Sequence, residues 1–309
     1  MWFIYALATT LLWGAADLFY KKGADPHEKH SHLLTSVAVG IVMGAHALFM
    51  LLTGGIDYNP INILIYAPVS LCYILSMVIG YLGLRYLELS ISSPIQNASG
   101  AVSCILCLVV LQQIPDLYSG IAIVIICAGV FLLGWLERTK AKDVAPEDKK
   151  YSKSAFALIF PILYCVIDAL GSFFDAYYLD DINATPLVDV TESTFEDVAN
   201  ISYELTFFFV AIVLLFYILV IKKEKIVIKN QGNKFGAAIF ETAGQFFYVY
   251  ALAGGNAVVA APMIASYAIV SVILSRIFLK EKLKPMQYVA VTMVLIGIVI
   301  MGIVEGLAE

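Results

Sequence analysis

Apolar runs of about 20 residues recur along the whole chain and are separated by short polar breaks. A helix of that length crosses the hydrocarbon core of a bilayer, which is about 30 Å thick. The breaks carry turn residues such as Gly54-Gly55 and Pro115-Asp116. The pattern predicts an all-α integral membrane protein with ten transmembrane helices, at residues 2–22, 33–53, 62–84, 91–111, 117–136, 154–177, 195–221, 235–253, 257–278 and 285–305.

The composition supports a membrane protein, because 61% of the 309 residues are hydrophobic and only 14% are charged. Soluble proteins have about 45–50% apolar and about 25% charged residues. The first apolar run follows Met1 without a basic segment or a small-residue cleavage site, so we expect a retained span and not a signal peptide. The five cysteines all lie inside apolar runs, which indicates neither a disulfide framework nor a zinc site. We expect no metal, no other cofactor and no nucleic-acid partner.

The positive charges are sorted between alternate connections of the predicted helices. All 19 Lys and Arg residues fall on one side, in the segments 21–29, 85, 138–153, 222–234 and 276–284. Connections that carry Lys and Arg are usually cytoplasmic. The sequence therefore predicts that both termini lie outside the cell.

Two pairs of segments indicate an internal duplication. Residues 94–137 align without gaps to residues 262–305, with identities that include Pro94 with Pro262 and Gly129 with Gly297. Residues 5–17 align to residues 156–168, which pairs Trp13 with Tyr164 and Asp17 with Asp168. We predict two five-helix repeats, 1–137 and 154–309, joined by a charged cytoplasmic linker, 138–153. Because five is odd, the repeats must be inverted, as in secondary transporters that bind substrate between their halves.

Residues 271–302, SVILSRIFLKEKLKPMQYVAVTMVLIGIVIMG, carry a family resemblance. The segment resembles the end of an EamA-type domain of the drug/metabolite transporter superfamily, with Glu281 in the short turn and Gly297 and Gly302 in the last helix. The resemblance covers nearly the whole chain as two tandem five-helix domains, and it implies a transporter. The first half departs from the pattern, because Gln113 stands where the second half has Glu281. We interpret Glu281 as a turn or interface residue and not as half of a symmetric site.

Asp17 and Asp168 lie well inside predicted spans. An ionised group near the centre of a span costs roughly 2.5–3.5 kcal/mol, so a chain that keeps one must shelter it or use it. Asp168 has no Lys or Arg one helical turn away, whereas Asp17 has Lys21 four residues on and a structural ion pair is the alternative. We predict that both aspartates belong to a substrate or proton pathway; for Asp168 the alternative is a protonated group that hydrogen bonds to another helix. Asp175 and Glu204 lie near predicted outer helix ends, where we expect exposure to a vestibule or to solvent.

Glu241 lies near the middle of the predicted eighth span and shares a helix face with Gln245 and Tyr248. A buried carboxylate beside aromatic rings suits a cation, because ring faces attract ammonium groups; a structural hydrogen bond is the alternative. The other cavity candidates are amides that hydrogen bond and aromatic rings, which packing or interfacial belts explain equally well. These candidates are Gln96, Asn97, Trp13, Tyr73, Tyr81, Tyr164 and Tyr267. We expect His46 to be a hydrogen-bonded packing residue, and the residues Gly40 and Gly44 to mark close helix packing within the chain.

These features predict a secondary active transporter of a small organic solute in the cell (plasma) membrane, working by alternating access. The acidic residues within the spans, and the lack of Lys or Arg in the central membrane layer, favour an amine-like cation over a phosphate or nucleotide sugar. Proton coupling through the buried carboxylates is a further hypothesis.

The alternatives are a divalent-cation carrier or channel and a transporter of neutral sugars or amino acids that uses Gln96, Asn97, Gln245 and Ser271. An intramembrane enzyme is not expected, since the sequence has no HExxH and no GxSxG motif. The expected partners are the solute and membrane lipid, and the protein is expected to be a monomer or a homodimer.

Overall fold

The computed structural model describes residues 1–23, 28, 30–83, 96, 98–140, 159–179, 186–253, 256–278 and 285–308. These residues form α1 (Trp2–Gly23), α2 (Ser31–Thr53), α3 (Ile61–Gly83), α4 (Ser99–Val110), α5 (Leu117–Lys140), α6 (Ile159–Leu179), α7 (Phe195–Phe216), α8 (Gly232–Leu252), α9 (Ala257–Ala265), α10 (Tyr267–Phe278) and α11 (Pro285–Ala308). A π-helical turn, Tyr217–Ile221, continues α7, and a 3₁₀ turn, Ile228–Gln231, precedes α8.

Seven helical segments in the described part of the chain are long and apolar enough to cross a membrane. They are Trp2–Tyr20, Ser31–Thr53, Ile61–Gly80, Ile159–Leu179, Phe195–Ile221, Ala257–Phe278 and Pro285–Val304. Two shorter apolar helices, Ser99–Val110 and Leu117–Leu133, add to them, while the more polar α8 is not among the seven. The prediction of an all-α, multi-pass membrane protein is confirmed.

The predicted ninth span, 257–278, is divided into two helices at Ser266. Pro262 lies inside α9 and has no backbone N–H to donate to the preceding turn. The Ser266 hydroxyl donates to the Met263 carbonyl oxygen at 2.5 Å, which offers the backbone an alternative to the helical hydrogen bond. The division lies beside the cavity described below, because Ala265 and Tyr267 both line it.

The packing of the helices against one another forms the central cavity. Helix α1 packs on α8, and α3 packs on α6. Helix α2 also contacts α8, and α3 also contacts α7. Helix α1 also contacts α9 and α10, and α4 contacts α6. Three further pairs, α2 with α7, α4 with α9 and α5 with α11, complete the bundle. Helices α1, α3, α6 and α8 therefore enclose its centre.

Polar contacts join the chain connections at both ends of α2. Beyond its C-terminal end, the Asn62 side chain forms two 2.9 Å hydrogen bonds with the backbone of Val188, and Asn59 donates to Asp189 at 2.6 Å. At its N-terminal end, Glu28 pairs with the buried Lys234, and His30 Nδ1 lies 2.7 Å from Glu224 Oε1. One end is thus joined mainly through amides, and the other through carboxyl groups that contact Lys234 and His30. More residues take part in these polar contacts than the sequence patterns indicated.

Asp116 fixes the start of α5. Its Oδ1 accepts hydrogen bonds from the backbone N–H groups of Tyr118, at 2.8 Å, and Ser119, at 3.1 Å. These are donors that the first turn of a helix leaves unpaired. The Ser119 hydroxyl, followed by these backbone groups, lowers the pKa of the Asp116 carboxyl below its usual value.

Gly40 and Gly44 bring α2 directly against α7. A Cβ atom at Gly40 would lie 2.4 Å from the carbonyl oxygen of Phe207 and 2.5 Å from Ala211 Cβ. A Cβ atom at Gly44 would lie 2.3 Å from Phe208 Cδ2. The prediction that these glycines mark close packing within the chain is confirmed.

We expect Gly40→Ala to lower the free energy of unfolding by about 1–3 kcal/mol, because the obstructing atom belongs to the backbone of α7 and cannot rotate away. Unfolding in mixed micelles measures this change. Gly120→Ala on α5 is the matched control, since no atom lies within 4 Å of the added Cβ and alanine favours helix. Equal stability of the two variants would contradict the expectation.

Candidate functional site

A cavity of about 180 Å³ lies at the centre of the bundle. Its walls come from α1, α3, α4, α6, α7, α8, α9 and α10, together with Gln96. An engineered protein cavity of about 150 Å³ holds benzene, which has six non-hydrogen atoms, so this one accommodates a ligand of roughly seven.

The cavity brings together nine of the residues that the sequence predicts for the site. They are Trp13, Asp17, Tyr73, Gln96, Tyr164, Asp168, Glu241, Tyr248 and Tyr267. Gln245 is buried beside the cavity residues of α8 but does not line the cavity, and its side-chain nitrogen has no hydrogen-bond partner. Asn97 and the side chain of Tyr81 lie outside the described residues, as does Glu281.

Asp168 projects from the middle of α6 into one wall. The Ser76 hydroxyl on α3 donates to its Oδ1 at 3.2 Å, and the side chains of Ser99 and Tyr164 also hydrogen bond with it. All the partners that the structure describes for this carboxyl are neutral hydroxyls. Hydroxyl donors hold a carboxylate in place without cancelling its charge, so the group stays available to an external cation.

Glu241 and Asp17 occupy the facing wall, which α8 and α1 form. The Tyr20 hydroxyl donates to Glu241 Oε2 at 3.4 Å, and Trp13 Nε1 donates to the Glu241 backbone oxygen at 3.3 Å. Asp17 lines the cavity from the same helix as Trp13 and Tyr20. The Lys21 side chain lies outside the described residues, so the alternative of an ion pair with Asp17 stays a prediction.

Aromatic rings form a large part of the remaining surface, beside small, hydroxyl and aliphatic side chains. Trp13 is tilted against Tyr248, with ring centroids 5.0 Å apart, and meets Tyr267 edge to face at 6.0 Å. Tyr73 meets Tyr203 edge to face at 5.7 Å, and its hydroxyl lies 2.6 Å from that of Tyr248. Such edge-to-face contacts hold the rings in fixed orientations.

Sequence reasoning missed five polar lining residues, Tyr20, Ser76, Ser99, Ser172 and Tyr203. Tyr20 follows Asp17 by three positions, so the helical period was an available signal. Tyr203 lies between Ser202 and Glu204, so the polar pattern around it does not single out the cavity-facing side of α7.

The expected exposure of Asp175 and Glu204 is wrong, because both carboxyls are 0% exposed. Tyr66 on α3 covers Asp175 and donates to its Oδ1. His46 on α2 covers Glu204, with Nδ1 at 2.8 Å and 2.9 Å from the two carboxyl oxygens. Neighbouring helices therefore cover these helix ends with polar partners. The hydrogen-bonded packing role predicted for His46 agrees with this contact.

Gly244 on α8 provides the flat surface on which Trp13 lies. A Cβ atom there would come within 2.4 Å of Trp13 Cδ1 and 2.6 Å of Nε1. We expect Gly244→Ala to displace the indole ring and break its hydrogen bond to Glu241. The emission spectrum of Trp13, in a Trp2→Phe and Trp135→Phe background, should then shift. Gly232→Ala on the same helix has open space around its Cβ and should leave the spectrum unchanged; a shift of the same size there would show that packing against Trp13 is not the cause.

Comparison with known proteins identifies the relatives of this chain. The model of the EamA-like transporter family matches residues 1–135 and 196–303, which leaves α6 and its two aspartates outside the matched segments. No curated protein sequence matches. A protein of known crystal structure superposes with a TM-score of 0.68 at 14% sequence identity, covering 100% of this chain and 98% of that one, and this similarity shows the shared fold alone. The family match spans most of the sequence, and the chain belongs to the EamA-like transporter family, within the drug/metabolite transporter superfamily.

Proposed function

We propose that this protein is a secondary active transporter of a small organic cation, and that the central cavity is its solute site. The observation that carries the proposal is the lining of the cavity. Seven aromatic residues and three carboxylates face it, and the described lining residues include no Lys or Arg.

The chemistry of this lining favours positive charge. Tyrosine and tryptophan faces attract ammonium groups within about 6 Å, with roughly 2 kcal/mol for a desolvated contact. Carboxylates in a low-dielectric cavity add a stronger and less directional attraction. A phosphate or nucleotide sugar would meet like charges here, with no described cation to neutralise it. Among the amides and hydroxyls named for a neutral solute, Gln245 and Ser271 are buried away from the cavity, which supports a sugar or amino acid less well.

Alternating access is part of the proposal, with helices α1–α5 and α6–α11 as two inverted repeats, 1–137 and 154–309. Exchanging the repeats replaces α1 by α6, α2 by α7 and α3 by α8. The contact of α1 with α8 then becomes that of α6 with α3, and the contact of α2 with α8 becomes that of α7 with α3. Both members of each pair are packed, which supports a two-fold relation of the kind that inverted-repeat transporters use. Ten spans, both termini outside and a plasma-membrane location complete the proposal.

The test is binding and uptake of choline by purified, reconstituted protein, with 3,3-dimethyl-1-butanol as the uncharged analogue of the same shape. We expect choline to quench Trp13 emission and to bind at least about tenfold more tightly than the alcohol, which corresponds to about 1.4 kcal/mol. Methylammonium and tetramethylammonium extend the comparison to other sizes. Equal binding of choline and the alcohol, or uptake of sugars or amino acids instead of amines, would overturn the proposed cation specificity.

A further inference from the structure

Asp175 is a buried carboxyl that the proposed solute site does not use. It lies on α6, seven residues after Asp168 and therefore on the same helix face, but it does not line the cavity. Its side chain is 0% exposed, and Tyr66 donates to Oδ1. The second oxygen, Oδ2, is buried without any hydrogen-bond partner.

An unpartnered buried oxygen is costly on an ionised carboxylate. Removing an ionised carboxylate from water without a compensating charge costs far more than burying the neutral acid. Each of the titratable groups described as facing Asp175 from neighbouring helices is a tyrosine: Tyr66 and Tyr73 on α3, Tyr203 on α7 and Tyr248 on α8. The other titratable groups on α6 itself are Tyr164, Cys165, Asp168, Tyr177 and Tyr178. None of the described groups that face Asp175 is a cation, so the favoured form is the neutral acid, and Oδ2 is the oxygen free to carry the proton.

Hydroxyl groups connect this carboxyl to the cavity. Ser172 lies between Asp168 and Asp175 on the same face of α6, and it lines the cavity. The Tyr73 hydroxyl donates to Ser172 Oγ at 2.9 Å, shares a 2.6 Å hydrogen bond with Tyr248 and also interacts with the Asp175 carboxyl. A proton thus has a route of hydroxyls between the carboxyl and the space that the solute would occupy.

We propose that Asp175 is the proton-binding site of the transport cycle, protonated when the cavity is empty and ionised when a cation occupies it. This inference rests on the proposed function. On cation entry the Asp175 side chain rotates so that the Oδ2–H group reaches the Tyr73 oxygen. That O–H bond breaks, Tyr73 accepts the proton, and Tyr73 passes its own hydroxyl proton through Ser172 to water in the cavity. One positive charge enters and one leaves, so the buried charge is balanced. Transport then exchanges one cation for one proton.

The first experiment measures proton release and transport. In weakly buffered detergent solution, wild-type protein should release about one proton for each choline bound, as linkage between the two sites requires. Asp175→Asn is permanently neutral, like the protonated acid, so it should release no proton and should bind choline at least about tenfold more weakly than wild type. At saturating choline it should still exchange internal for external choline within about threefold of wild type, since exchange needs no net proton movement. Its accumulation of choline driven by a pH gradient should fall at least about tenfold. Undiminished proton-driven accumulation in this variant would overturn the proposal.

The second experiment keeps Asp175 and does not depend on whether the asparagine variant folds. Infrared difference spectra of the wild type should show loss of a protonated carboxyl C=O band when choline binds. Tyr66→Phe removes the donor to Asp175 and should shift that band, whereas Tyr178→Phe should not, because the Tyr178 hydroxyl donates to the Ile65 carbonyl oxygen. No band, or a band that Tyr66→Phe leaves in place, would assign the proton elsewhere.

If wild type binds neither choline nor tetramethylammonium, the proposed function fails as well; if it binds them without proton release, only this inference fails.

Discussion

Asp168→Asn is expected to lower kcat/KM for choline uptake by about 100-fold, which corresponds to about 2.7 kcal/mol. Asparagine has nearly the same shape as aspartate and can still accept the hydrogen bond from Ser76. The variant therefore removes the negative charge and little else from the cavity wall. Uptake of labelled choline by proteoliposomes at matched protein content measures the loss.

Asp57→Asn is the matched control, because this carboxyl is exposed in the connection between α2 and α3. It makes the same chemical change far from the cavity lining and should leave uptake within about twofold of wild type. If Asp168→Asn behaves like this control, Asp168 has no part in binding the solute, and Asp17 and Glu241 become the remaining carboxylates of the site.

His46→Ala is expected to lower the free energy of unfolding by about 1–3 kcal/mol, the usual cost of leaving a buried polar group without its hydrogen-bond partner. Glu204 is 0% exposed and contacts His46 through both carboxyl oxygens, so the variant leaves a buried carboxyl without its partner. Unfolding in mixed micelles measures the loss.

Two further variants separate the pair from the packing around it. Glu204→Gln keeps a hydrogen-bond acceptor for His46 and should cost much less. Replacing both residues with leucine removes the polar pair entirely and should restore most of the stability that His46→Ala loses. A double variant as unstable as the single one would show that the shape of the pair, not its charge, holds α2 to α7.

The all-helical, multi-pass character of the chain could be predicted because membrane spans have a strong sequence signal. Runs of about 20 apolar residues are rare outside membrane spans, and the helical period then places Asp168 beside Tyr164 and Glu241 beside Tyr248. That is why most of the predicted residues meet in one cavity. The division at Ser266 had a local signal in Pro262, but a serine in an apolar run is equally compatible with a continuous helix.

The partners of Asp175 and Glu204 could not be predicted in the same way. Their positions near helix ends indicated exposure, but exposure depends on which neighbouring helix covers the end. Tyr66 is 109 residues from Asp175 along the chain, and His46 is 158 residues from Glu204. Contacts over such distances follow from the packing of α3 on α6 and of α2 on α7, which a single sequence does not encode as a local pattern.

The connections at the two ends of α2 differ in how they respond to dissolved salt. Amide contacts such as Asn62 with Val188 do not depend on net charge, whereas Glu28 and Lys234 are joined by the attraction of opposite charges, which dissolved ions screen. Rising ionic strength therefore loosens one end of the bundle more than the other. A change in salt on that side of the membrane therefore loosens one face of the protein and leaves the other as it was. It needs no change in the solute or in the chain itself.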